Sequence, residues 1–194
     1  VTWTKQRLDE MDAALTSIET RANHLASEAT EKANALSAEL KKRRADFETE
    51  VKAQLKAGES ALEASKTQLD QEWARFEADL RAYVETVGAD LDQKRATFAD
   101  LAEAQAKAWG EAAEKLQAAA AELGAENRAR IEQAIARLRA DSTEAKAHLD
   151  EFRQAGSESW AAFSAALQIS RKKFDEASRS AWEALKNPKP TIKS

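Results

Sequence analysis

Cysteine is absent from this chain of 194 residues, proline occurs twice, glycine five times, histidine twice and tyrosine once. Without cysteine there is no disulfide framework, no thiolate zinc site and no thiol nucleophile, and redox chemistry leaves no mark of compartment. No long uninterrupted apolar run occurs, so neither a bilayer-spanning helix nor the hydrophobic core of a secretion signal is expected, and a cytoplasmic location is the default. The scarcity of glycine and proline removes the usual punctuation of loops.

What is present is charge and small apolar residues. Asp, Glu, Lys and Arg make up 33% of the chain at a net charge of -4, and the apolar 43% is rich in alanine, the composition of long helices. Alternation typical of strands does not persist, whereas Leu8, Met11, Leu15 and Ile18 recur at helical spacing. Beneath this lies an eleven-residue recurrence. Ile18, Ala29, Leu40, Val51, Leu62, Trp73 and Val84 form one row, and Leu25, Leu36, Phe47, Gly58, Leu69, Leu80 and Leu91 a second. Eleven residues over three turns keep a seam nearly straight. A slipped phase carries the later half, with Phe98, Trp109, Ala120 and Ile131 in one row and Leu116, Asn127, Leu138, Leu149 and Trp160 in another. Acid-to-base pairs at i,i+4, among them Glu28 and Lys32, Glu39 and Arg43, Glu48 and Lys52, mark solvated faces. The expected fold is therefore all-α: very long amphipathic helices with an eleven-residue repeat, in an extended antiparallel bundle or coiled coil.

Residues 1–187 read as one elongated helical domain, and 188–194 as an extended basic tail after Pro188 and Pro190, carried by Lys189 and Lys193. That tail either docks on an acidic face of a neighbouring chain or stands unattached. Gly58, Gly124 and Gly156 read as flaws or close-contact points in continuing helix, with a capping-box pattern at Ser60 to Glu63 after the first. Gly88 is the best candidate for a reversal because the phase slip follows it. A recurrence at a lag of 87 matches Trp73, Phe76 and Leu80 to Trp160, Phe163 and Leu167. Since that lag is close to a whole number of helical turns, duplication and simple helical periodicity both account for it.

Candidate chemistry is sparse. His24 and His148 are too few for a metal cluster, Glu144 with His148 reads as a surface contact, and no phosphate loop or nucleophile elbow occurs. No catalytic residue, cofactor or metal is expected, and the chain reads as a non-enzyme. Lys41, Lys42, Arg43 and Arg44 form a basic block. On a helix these four point in different directions among Glu39, Asp46 and Glu48, so a solvated face is expected and nucleic-acid binding is not. Five tryptophans exceed the need of a narrow coiled-coil seam. Leu62, Trp73, Phe76, Leu80, Trp109, Trp160, Phe163, Leu167, Phe174, Trp182 and Leu185 are accordingly the expected interface, closed by a second copy in a homo-oligomer, most simply a dimer. The same stripes also suit insertion into a lipid or polymer-granule surface.

The segment from Phe152 through Gly156 and Trp160 to Phe163, with Phe174 and Ala181 to Leu185, resembles the C-terminal pattern of small bacterial coiled-coil stress-response proteins, in which a charged helix meets an Ala-Gly-x-x-x-Trp box. Granule-coating phasins are similar in composition. The resemblance implies a self-associating, stress-related helical scaffold without catalytic residues; the alternative is an amphipathic coat on lipid or polymer.

Overall fold

A computed structural model describes residues 2–22, 27–87, 91–123, 125–154 and 160–186. Among these the fold is all-α, with seven helices and no strand: α1 (Thr2–Ala22), α2 (Ser27–Ala57), α3 (Glu59–Ala64), α4 (Lys66–Val87), α5 (Leu91–Ala121), α6 (Ala125–Gln154) and α7 (Trp160–Lys186). The longest elements have 31 residues, about 46 Å at 1.5 Å per residue. Where one domain over 1–187 is expected from the sequence, the chain divides into two compact units, Val1–Ala104 and Gln105–Ser194. The boundary lies within α5, just after the slip between the two apolar phases.

In the first unit the eleven-residue rows become the core. Ile18, Leu40, Val51, Leu62, Trp73 and Val84 are all buried, although they sit on four different helices. Met11 and Leu15 join them from α1, Phe47 from α2, Leu69, Phe76 and Tyr83 from α4, and Leu101 of α5 packs against the cluster. Helices α1 and α2 run antiparallel, as the pairs Asp12–Arg44 and Glu19–Lys41 require. Helix α2 in turn packs along α4, with Arg43 meeting Asp79.

That packing places a chain reversal at Gly58, which corrects its reading as a flaw in continuing helix. Gly58 has φ 111° and ψ 168°, a backbone region open essentially to glycine, and serves as the N-cap of α3 without any side-chain cap bond. Ser60 consequently lies inside α3, and the expected capping box does not form there. The reversal expected at Gly88 and the helix flaws expected at Gly124 and Gly156 lie outside the described residues, as do His24 and the tail 188–194. Around the first of these, Glu85 of α4 and Lys94 of α5 form an ion pair at 2.9 Å.

The second unit is built from the later part of α5 with α6 and α7. Trp109, Ala113, Leu116 and Ala120 of α5 meet Ile131, Ile135, Leu138 and Ala145 of α6 and Phe174, Ala177 and Ala181 of α7. The alanines let helices approach closely, and the buried Ser142 hydroxyl donates to the Ala106 carbonyl at 3.2 Å. At the C-terminus of α5, where carbonyls lack helical partners, the Arg128 guanidinium donates to Ala121 O at 2.9 Å and Leu123 O at 3.2 Å. Contacts between Glu144 and Lys173 hold α6 beside α7.

Candidate functional site

The basic block of α2 is an ionic clasp. Four successive helical residues project about 100° apart, so they reach different neighbours. Lys41 reaches Glu19 of α1 at 2.6 Å, and Lys42 pairs loosely with Asp46 on its own helix at 3.9 Å. Arg43 meets Asp79 of α4 and also Glu39 at 3.6 Å. Arg44 grips Asp12 of α1 with two bonds, Nε to Oδ1 at 2.7 Å and Nη2 to Oδ2 at 3.0 Å, and its Nη1 also meets Glu48. The bond to Asp12 pushes the Arg44 guanidinium above its ordinary range, and Lys52 followed by Arg44 holds the Glu48 carboxyl below its own. The block is thus a three-helix fastener, where a merely solvated face is expected. Exposed pairs of this kind contribute roughly 0–1 kcal/mol each, so their larger effect is on which helices pair and in what register.

A second ionic group lies deeper. Thr4, Gln6, Arg7 and Glu10 of α1 are all buried. Arg7 Nη1 donates to Glu10 Oε1 at 3.2 Å, Gln6 Nε2 reaches the same oxygen at 3.4 Å, and the Arg7 guanidinium lies 4.8 Å from the Trp73 ring centroid. Trp73 stacks on Phe76 at 5.8 Å. The apolar rows alone do not single out this pair. A signal for it exists in the sequence, because stepping the first apolar row back eleven residues from Ile18 lands on Arg7, a charge where an apolar residue belongs.

Of the expected interface residues, Leu62, Trp73, Phe76, Trp109 and Phe174 lie in the interior of a single chain, and Leu80, Trp182 and Leu185 are half-buried against the same cores. Among the described residues, the chain's own helices therefore cover the parts of the stripes expected to require a second copy. The reversal at Gly58 is the reason in the first unit, since it turns α4 onto the seam of α2. The side chains of Trp160, Phe163 and Leu167 lie outside the described residues. Trp109 is fully buried and stacks on Phe174 at 4.9 Å with 13° between the planes, and its indole N–H has no hydrogen-bond partner.

Tyr83 is likewise buried with no partner for its hydroxyl, and burial pushes its phenol above the ordinary value. Tyr83→Phe removes an unsatisfied polar atom and is expected to stabilise the fold by about 1 kcal/mol at neutral pH in urea unfolding. Because the folded phenol holds its proton above the unfolded value near pH 10, stability is full below that pH and falls as pH rises beyond it. Tyr83 is the single tyrosine, so phenolate absorbance follows this titration without interference. A destabilised Tyr83→Phe, or a phenol that ionises at its ordinary pH in the folded chain, would contradict the assignment.

His148 lies 3.7 Å from both Glu144 and Glu151, the surface contact the sequence suggests. Among the described residues no group of three or more His, Cys, Asp or Glu is placed to hold a metal ion. Likewise, no described helix is long and apolar enough to cross a membrane. No family model, curated protein or solved structure matches the chain.

Proposed function

We propose that this chain is a non-enzymatic structural protein, a helical scaffold that associates with copies of itself. The observation that supports this most is the use made of its chemically capable side chains: the basic block joins α1, α2 and α4, and Trp73 and Trp109 are taken up in buried cores. A seam repeating every eleven residues stays nearly straight, the form in which antiparallel helices of identical chains pair over long stretches of an extended bundle or coiled coil. Resemblance to bacterial coiled-coil stress-response proteins suggests a stress-related role.

The second reading, an amphipathic coat on a lipid or polymer-granule surface, draws on the same rows, since a bundle that opened would present Trp and Phe along one stripe. Light scattering together with circular dichroism separates the two. The scaffold reading expects a mass near twice 21.3 kDa at tens of micromolar chain and full helicity without lipid. A monomer mass, with helicity or tryptophan emission changing only when liposomes or hydrophobic granules are added, would overturn it in favour of the coat.

A further inference from the structure

The break between α2 and α4 is concentrated in one residue. Up to Gly58 the helical ladder is intact, with its N–H donating to Gln54 O at 3.1 Å. It resumes at once, with Leu62 N–H donating to Gly58 O at 3.2 Å. Ser65, in right-handed helical conformation, donates to Ala61 O and accepts from Leu69 N–H, both at 3.0 Å, so the ladder also runs through the junction of α3 and α4. Gly58 is the one described residue with positive φ. Rotation about its two backbone torsions converts α2, α3 and α4 into a single helix, about 90 Å long at 1.5 Å per residue, and no proline stands in the way.

The apolar pattern is already in phase for that straight form. Leu40, Val51, Leu62 and Trp73 are spaced by three helical turns on both sides of Gly58, so they would fall on one continuous stripe. Such a stripe needs cover, and the clasp indicates which kind. Arg43 and Asp79 are 36 residues apart and lie symmetrically about Ala61. Two straightened helices paired antiparallel about a two-fold axis at Ala61 would re-form the Arg43–Asp79 pair twice, between chains.

We propose that Gly58 is a hinge for exchange between copies: residues 1–57 of one chain leave their own α4 and dock on the α4 of a second copy, which returns the same segment. This rests on the self-association reading above and names its route. Pairs within the moving segment, Glu19–Lys41 and Asp12–Arg44, stay within one chain, whereas Arg43–Asp79 and Arg7–Trp73 re-form between chains. Contacts away from the hinge are kept, those between α2 and α3 at Gly58 are given up, and the interrupted backbone ladder gains bonds. A β-carbon at Gly58 would meet nothing within 4 Å, so alanine there is opposed only by the backbone angle and favours the straight form.

The chain has no cysteine, so introduced thiols are unique. The test uses two full-length double variants, Arg43→Cys with Asp79→Cys and Glu19→Cys with Lys41→Cys, each treated with a short bis-maleimide and each made with and without Gly58→Ala. The expected result is interchain linkage of the 43–79 pair, running as a covalent dimer, as the main product with Gly58→Ala. With Gly58 retained, the covalent-dimer fraction should rise with protein concentration, while the 19–41 pair links within the chain throughout. Gly110→Ala, within α5, should leave these products unchanged, because its added carbon makes only ordinary contact with Ser142 Oγ at 3.9 Å. Linkage of 43–79 within the chain at every concentration, with Gly58→Ala merely destabilised, overturns exchange. A dimer mass by light scattering accompanied by that intrachain linkage leaves self-association standing and overturns only its route. Should Gly58→Ala fail to fold, the concentration series with Gly58 retained decides alone.

Discussion

Trp109→Ala is expected to cost about 3–5 kcal/mol, the largest single-residue loss in the second unit. The indole is fully buried in a cluster built from α5, α6 and α7, and stacks on Phe174. Half of the other buried residues in its cluster are alanines, whose short side chains cannot swing into the space left behind, so part of the cavity would persist. The unpaired indole N–H works in the opposite direction, because burying a donor without a partner costs roughly 1–3 kcal/mol. Trp109→Phe removes that donor while keeping most of the ring, and should therefore lose much less than Trp109→Ala. Urea unfolding combined with hydrogen exchange in α6 and α7 reads both variants. A loss below about 1 kcal/mol for Trp109→Ala would show that Trp109 does not hold the three helices together.

Glu10→Ala should destabilise the first unit by about 3 kcal/mol, because it removes one end of the buried Arg7–Glu10 ion pair. Both side chains of the pair are close to fully buried, at 10% and 1% exposure, so water does little to replace what is lost. Replacing both, Arg7→Leu with Glu10→Leu, should recover most of the loss, since an apolar side chain packs against the Trp73 face. Equilibrium unfolding of the two single variants and the double variant gives the coupling. If the double variant loses as much as the two singles together, the pair is not acting as a unit.

These two sites differ in how plainly the amino-acid sequence marks them. Trp109 belongs to an apolar row, and its burial follows from position, as does that of Leu40, Val51, Leu62, Ile131 and Leu138. The all-α class follows from the same rows. What those rows do not supply is the partner face. A stripe that needs cover reads identically whether the cover comes from another chain or from the next helix of the same chain, which is why the aromatic positions point to an intermolecular interface when the sequence is read alone. The deciding residue is Gly58, a member of the second row that contributes no side chain. Without proline or a cluster of turn residues beside it, a reversal there leaves little trace in composition.

Row-breaking residues carry the most information. Arg7 marks the buried ion pair, Gly58 the reversal, and Asn127 is a buried polar residue where its row calls for an apolar one. The basic block misleads for a different reason. Its four directions are legible, but the acids that answer it, Asp12, Glu19 and Asp79, are distant in sequence and are brought near only by folding.

In the second unit the chain's own helices close the aromatic core, and collisional quenching of a variant retaining Trp109 as its one tryptophan, the other four changed to Phe, reads that closure without interference. At nanomolar chain and without lipid, the expected result is blue-shifted emission that acrylamide barely quenches and that does not change when protein is concentrated or liposomes are added. Red-shifted, readily quenched emission that becomes protected only on concentration or on contact with a lipid surface would contradict it.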